Sequence, residues 1–270
     1  MNMNNFLKSR RSVRDFKNKK VELPLLESIV PLLEELEKED ASGSIKFKLY
    51  EYGDHIFQGL DGKAGYSGVM IQSPHYIALE LNNTNDHTTI YSAYFMEKLI
   101  TKLNNKGLDT CWISLTDVDT KTKNEIFGES KGEIKNLLAF GYPKRRNPFS
   151  AEPFSERIGV EELVFDGKIP VMADIDELEA KGLMDLFYYI RFAPSTKNRQ
   201  PWRFLLEGET VKLLLQYQEG EQPLLLDAGI IMYYFETLAN MQGIKSKWNF
   251  IDGLHKEDKF SYKYIAEFHL

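Results

Sequence analysis

One stretch of this chain decides the fold: Ala193-Pro194-Ser195-Thr196-Lys197-Asn198-Arg199-Gln200-Pro201-Trp202-Arg203-Phe204. Residues 175–192 before it carry apolar side chains at helical spacing, and a residue that precedes proline is disfavoured in the α region, so we predict a helix ending at Ala193-Pro194. Apolar residues from Trp202 onward predict a buried strand. The loop between them presents hydroxyl and amide groups, which either bind the edge of a flat heterocycle or only satisfy their own backbone.

A second informative stretch lies near the N-terminus: Ser9-Arg10-Arg11-Ser12-Val13-Arg14-Asp15-Phe16. Guanidinium groups bind phosphate oxygens in a bidentate manner, and serine hydroxyls add donors, so this segment is a candidate phosphate or anion site. A solvated basic arm is the alternative interpretation.

Together the two stretches resemble the FMN-dependent nitroreductase family, whose members carry R-R-S-x-R-x-F and A-P-S-x-x-N-x-Q-P-W-x-F segments. The run from Gly107 to Leu115 is similar to the family's G-L-G-x-C-W-x-G-G, with Ser114 and Leu115 where glycines are common. The run from Arg157 to Phe165 resembles R-K-x-x-E-E-L-V. These four matches are spread over most of the chain.

Composition limits the function classes. The 270 residues contain 40 acidic and 34 basic side chains, a net charge of −6, so the chain has no general attraction to nucleic acid and any anion site must be local. The N-terminus lacks the apolar segment of a secretory signal, no stretch is long enough to span a membrane, and a single cysteine excludes an intrachain disulfide, so we expect a cytoplasmic protein. Cys111 and His75 are expected to be structural.

The chain also shows an internal repeat. Residues 93–107 and 229–243 are helical patterns of equal length that end in glycine, and Trp112 and Trp248 each follow that glycine by five residues. The repeat predicts two similar lobes, residues 1–150 and 151–270, with residues 144–153 as the linker. The resemblance implies an α+β fold in which each lobe is a mixed or antiparallel sheet flanked by helices. The resemblance implies an intrachain pseudo-dimer, because in dimeric family members two subunits share one flavin site.

The resemblance also implies which residues bind the cofactor. The phosphate-side candidates are Arg10, Arg11, Ser12, Arg14 and Arg157. The candidates for contacts with the ring and ribityl chain are the backbone of Ser114 and Leu115, together with Pro194, Ser195, Thr196, Asn198 and Gln200, the last of which has bracing of the loop as its alternative role. We expect one FMN per chain, bound between the halves, and neither a metal ion nor a protein nucleophile is required.

Three functions are compatible with these features. The first is an FMN-dependent oxidoreductase that transfers hydride from NAD(P)H to a nitroaromatic, a quinone or a similar small acceptor. The second is a flavin carrier or sensor without turnover, and the third is a scaffold that binds no flavin. Because the pairing is satisfied within one chain, a monomer is expected, with a homodimer as the alternative.

Overall fold

The structure is a computed structural model that describes residues 6–7, 10–144 and 155–270. The predicted boundary at residue 150 and most of the predicted linker, residues 145–153, lie outside the described residues. The chain divides into two compact units. The N-terminal unit comprises Ser9–Thr88 and Phe95–Ala151, and the C-terminal unit comprises Met1–Lys8, Thr89–Tyr94 and Glu152–Leu270.

Helices and strands alternate along the first part of the chain. They are α1 (Leu23–Glu27), α2 (Val30–Glu39), β1 (Ile45–Tyr50), α3 (Gly53–Leu60), β2 (His75–Leu81), α4 (Asp86–Asn105), β3 (Asp109–Ser114), α5 (Thr120–Phe127) and β4 (Glu133–Gly141). Strand β2 is buried along its whole length because it lies in the interior of the sheet.

The second part of the chain begins with a 3₁₀ turn at Val160–Glu162 and continues through a longer sheet. Its elements are β5 (Val164–Asp166), α6 (Ile175–Ala180), α7 (Met184–Ile190), a second 3₁₀ turn (Thr196–Asn198), β6 (Trp202–Glu207), β7 (Thr210–Gln218), α8 (Leu225–Met241), β8 (Asn249–Phe250), β9 (Leu254–Glu257) and β10 (Phe260–His269).

The two sheets have the same strand order. The N-terminal sheet has the spatial order β1-β2-β4-β3, and the C-terminal sheet contains the order β6-β7-β10-β8. Along the chain, helix α4 lies between β2 and β3, and helix α8 lies between β7 and β8. Pairing within both sets is antiparallel, while β5 adds to β6 in parallel. This arrangement confirms the predicted α+β class with mixed and antiparallel sheets.

Helix α8 is the core of the C-terminal unit. It is apolar around its circumference, as expected of a helix that is buried on all sides. Gly229 permits a close helix crossing, because a Cβ built there would lie 1.9 Å from the Ile90 carbonyl oxygen of α4. Aromatic rings pack around Phe235, with Phe204, Trp248 and Phe268 at centroid distances of 5.1–5.3 Å.

The repeated tryptophans make similar contacts in the two units. Trp112 Nε1 donates to Glu97 Oε1 at 2.8 Å on α4, and Trp248 Nε1 donates to the Met232 carbonyl at 3.0 Å on α8. In both cases the indole binds back to the helix that precedes it, as the sequence repeat would place it.

Two predicted helices are broken in the structure. The pattern over 175–192 forms α6 and α7, because Gly182 adopts φ +69° between them, and α7 ends at Ile190, before the proline. The helix predicted from Pro24 with a kink at Pro31 is two helices, α1 and α2. Each has its proline in the first turn, where the missing N–H has no cost.

Candidate functional site

The arginine segment lies along an edge strand of the N-terminal sheet. Ser12 forms a parallel bridge with Thr110 of β3, and the Val13 amide donates to the Thr110 carbonyl at 2.9 Å. Phe16 is buried in the hydrophobic core of this unit. The segment is therefore held at Ser12-Val13 and at Phe16, which determines where the side chains between them start.

Arg10 is an anchor of this segment. Its Nε donates to Glu97 Oε2 at 2.8 Å, its Nη2 donates to Glu97 Oε1 at 2.9 Å, and the two side chains are only 6% and 0% exposed. Trp112 Nε1 donates to the same carboxylate. A buried ion pair needs such additional hydrogen bonds to offset desolvation, so two of the Arg10 nitrogens are committed to the protein interior.

Arg11, Ser12 and Arg14 have exposed side chains. Arg11 Nη2 donates to Asp109 Oδ2 at 2.7 Å. Among the described residues, no hydrogen bond or ion pair involves the Arg14 guanidinium or the Ser12 hydroxyl. The Arg14 guanidinium and the Ser12 hydroxyl, two residues apart, are thus both presented to solvent.

The Ser114-Leu115 backbone is largely used within the fold. The Leu115 amide donates to the Lys135 carbonyl at 2.8 Å, and the Ser114 carbonyl accepts from the Gly65 amide at 2.9 Å. Leu115 is fully buried. The Ser114-Leu115 backbone is predicted to contact the ring and ribityl chain, but the Leu115 amide already has a partner within the fold.

In the C-terminal unit, the loop over 195–200 has an unusual backbone. Lys197, Asn198 and Gln200 adopt positive φ values of 51°, 56° and 47°, although none of them is glycine. The Ser195 hydroxyl oxygen accepts from the Gln200 amide at 3.0 Å and closes the loop. Backbone of this kind persists only where surrounding contacts enforce it.

One set of such contacts joins the loop to residues 156–158. Gln200 Nε2 and Asn198 Nδ2 donate to the Glu156 carbonyl at 3.2 and 2.9 Å, and the Ile158 amide donates to Gln200 Oε1 at 3.1 Å. Gln200 is buried, so its side chain braces the loop, which is the alternative that the sequence left open. Asn198 is exposed.

Arg157 belongs to the same arrangement. Its Nη1 donates to the Ala193 carbonyl at 2.8 Å, immediately before the loop, and the residue is half-buried. Burial lowers the pKa of its guanidinium below the ordinary arginine value. Arg157 therefore holds the start of the loop with at least one of its donors.

A second set of contacts involves Asp227, which the sequence did not identify as a site residue. The Thr196 amide donates to Asp227 Oδ1 and Oδ2 at 3.0 and 3.2 Å, and the Thr196 hydroxyl donates to Oδ1 at 2.9 Å. Asp227 is fully buried, and burial raises the pKa of its carboxyl group to about 6. An acidic residue inside an apolar run was the available signal, but nothing in the spacing linked it to Thr196.

The remaining candidates are structural. His75 is buried between the Glu51 carbonyl, 2.9 Å from Nδ1, and the Val21 amide, 3.0 Å from Nε2, and burial lowers its pKa. Cys111 is buried, and burial raises the pKa of its thiol. Over 6–7, 10–144 and 155–270, no group of three His, Cys, Asp or Glu residues could hold a metal ion. Over the same ranges, none of the helices combines the length and apolar character needed to cross a bilayer.

Comparison with known proteins gives a consistent family. A family model described as "Putative TM nitroreductase" matches residues 2–239. A structure described as a "putative nitroreductase" from Thermotoga maritima is similar over 98% of this chain and 94% of its own, with a TM-score of 0.58 and 18% identity. Nitroreductase A from Vibrio parahaemolyticus covers 70% of this chain and 86% of its own, at a TM-score of 0.48 and 14% identity.

A structure described as an FMN-dependent nitroreductase from Clostridium difficile covers 53% of this chain and 88% of its own, with a TM-score of 0.43 and 19% identity. No curated protein matches the chain. At 18% identity and a TM-score of 0.58, the Thermotoga maritima structure supports the fold alone.

Proposed function

Because this chain belongs to the nitroreductase family whose model matches its residues 2–239, we propose that it is an FMN-dependent oxidoreductase. In this proposal it takes hydride from NAD(P)H and passes it to a nitroaromatic, a quinone or a similar small acceptor. One observation carries the proposal beyond family membership, namely the exposed pair Ser12 and Arg14 on the edge strand of the N-terminal sheet.

This pair has the chemistry that a phosphate group requires. A guanidinium binds phosphate oxygens through two parallel N–H donors, and a serine hydroxyl adds a third donor. The backbone beneath them is held by the Val13–Thr110 bond, so little backbone entropy is lost when they bind. Because Arg10 is paired with Glu97, Arg14 is the principal phosphate-binding cation in this proposal. Arg11 adds a positive charge nearby.

The loop of the C-terminal unit presents polar groups that suit a flavin ring or ribityl chain. Asn198 is exposed, and Pro194 and Ser195 are half-buried. Thr196 donates to Asp227 through both its amide and its hydroxyl, so its hydroxyl oxygen acts toward a ligand as an acceptor. Gln200 acts indirectly, by bracing the loop.

FMN, when bound, supplies the hydride chemistry, and the chain binds it, orients it and admits the acceptor. The test is the visible absorption spectrum of the purified protein, recorded before and after anaerobic addition of NADPH and of NADH, with the released flavin identified by mass. We expect one FMN per chain and loss of its absorbance on reduction. Bound FMN that neither nicotinamide reduces would favour the carrier, and a protein that binds no added FMN would overturn the proposal.

A further inference from the structure

The loop over 195–200 is held in a conformation that its own sequence does not favour. Three non-glycine residues have left-handed backbone, which is maintained by the Ser195–Gln200 bond within the loop and by contacts from outside it. Asn198 and Gln200 bind Glu156 and Ile158, which fastens the later part of the loop. Near the start of the loop, the Thr196 amide and hydroxyl donate hydrogen bonds to Asp227.

Asp227 is well placed to fix Thr196 because its own position is rigid. It lies in the first turn of α8, a helix buried by the aromatic rings around Phe235. Its side chain has no exposed surface, and both of its oxygens accept from the Thr196 amide. A carboxylate paired in this way keeps its geometry, since any movement leaves buried acceptors unsatisfied.

We propose that Asp227 is a positioning residue, which fixes Thr196 and thereby holds residues 196–200 in the conformation that presents Asn198 to a ligand. The inference rests on the proposed function for the identity of the ligand. The anchoring itself is a property of the C-terminal unit and is measured without ligand.

The ionised carboxylate is the form that anchors the loop. Both oxygens accept hydrogen bonds from N–H and O–H donors, whereas protonation converts one of them into a donor that opposes the Thr196 amide. Burial raises the pKa of Asp227, and the Thr196 bonds and the charge of Arg199 act against that rise. Arg199, the charged neighbour on the loop, is about half exposed and lies 3.4 Å from Glu221. The anchor is therefore expected to weaken as the pH falls below about 6.

The loop contains two trypsin sites, after Lys197 and after Arg199, which report its opening directly. We compare their cleavage rates at pH 8 in the flavin-free wild type and in Asp227→Asn, with Asp185→Asn as the matched control on exposed surface of the same unit. Loss of a charge-assisted hydrogen bond predicts cleavage roughly tenfold to a hundredfold faster in Asp227→Asn. The denaturant midpoint should not fall, because the variant no longer buries a charge.

Unchanged cleavage at both sites in a folded Asp227→Asn protein would overturn the proposal. Should Asp227→Asn not fold, Thr196→Val removes only the hydroxyl bond, and we expect a smaller increase of several-fold with the same denaturant midpoint. Wild-type cleavage in Thr196→Val would then count against the anchor.

Hydrogen exchange of the peptide over 195–200 supplies a readout that a purely structural residue would not change. After correction for the intrinsic exchange rate, exchange of this peptide should accelerate in the wild type as the pH falls from 7.5 to 5. In Asp227→Asn the corrected exchange rate should not change over the same range. A flat wild-type profile would contradict the role of ionisation. Since these measurements use flavin-free protein, a chain that binds no FMN but shows the expected cleavage pattern would refute only the proposed function.

Discussion

Arg10 and Glu97 form a bidentate ion pair in which the arginine side chain is 6% exposed and the glutamate is fully buried. The pair connects the arginine segment to helix α4, and the Trp112 indole completes it from β3. The first arginine of the motif therefore has an evident structural role, in addition to any role in ligand binding.

Breaking this pair should destabilise the protein. Glu97→Ala leaves a buried guanidinium without its counter-charge, and we expect the free energy of unfolding to fall by about 3–5 kcal/mol. Urea denaturation measures the change. Arg11→Ala is the matched control, because its pair with Asp109 has an arginine side chain that is 53% exposed, and such pairs contribute about 0–1 kcal/mol. Equal losses in the two variants would refute a special role for the buried pair.

Arg14→Ala should weaken FMN binding without affecting the fold. Loss of a charge-assisted hydrogen bond to phosphate should weaken the free energy of FMN binding by about 1.5–3 kcal/mol, which corresponds to roughly a tenfold to hundredfold rise in Kd. Fluorescence titration of the flavin-free protein measures Kd, and Lys17→Ala removes an exposed cation from the same segment as a control. If Arg14→Ala retains wild-type Kd, the phosphate assignment of Arg14 is wrong.

The close helix crossing in the C-terminal unit gives a third prediction. An alanine Cβ at Gly229 would lie 1.9 Å from the Ile90 carbonyl oxygen and 2.9 Å from the Tyr94 amide nitrogen, both of which are backbone atoms that cannot rotate away. Overpacking of this kind costs about 1–3 kcal/mol or more, and we place Gly229→Ala at or above the upper end. The thermal midpoint should fall accordingly.

A second glycine separates crowding from backbone strain. Gly243 has φ +89° and open space around its Cβ position, so Gly243→Ala should cost only about 1 kcal/mol, by conformation alone. If Gly229→Ala loses no more stability than Gly243→Ala, the two helices do not need the close approach.

The sequence predicted the elements that have strong apolar periodicity and missed those whose periodicity is weak. Strand β6 and helix α8 were predicted because apolar periodicity is strong there. Helix α4 begins at Asp86, seven residues before the helical pattern of residues 93–107, because its first turns are polar and Asn85 caps them by accepting from the Thr88 amide at 2.8 Å. Periodicity does not reveal a polar turn, and neither does it reveal helix α3 or α5.

The candidate site shows the same division. Motifs located the arginine segment and the loop, since both are continuous in sequence. The residues that hold them, Glu97 and Asp227, are 87 and 31 positions from their partners, and only the fold brings them together. The sequence predicted which segments matter, and the structure distinguishes the side chains exposed to solvent from those that secure the segments.

The pH dependence of stability gives the last prediction, and its sign follows from the buried position of Asp227. Its folded-state pKa is raised from 3.8 to about 6, so the folded protein favours the protonated form. The stabilisation from this group is fully present below pH 3.8 and is lost as the pH rises through about 6. Between pH 4.5 and 7.5 the unfolding free energy of the wild type should fall relative to Asp227→Asn by about 2 kcal/mol.

Urea denaturation of both proteins across this range measures the difference, in which the other titrating groups cancel. Stability curves that run parallel from pH 4.5 to 7.5 would show that the Asp227 pKa is not raised. With the predicted slope, the protein is globally less stable at neutral pH when Asp227 is ionised, yet that is the form whose two oxygens accept from Thr196. Asp227→Asn would then gain global stability and lose order in the loop, as expected of a buried charge retained for function.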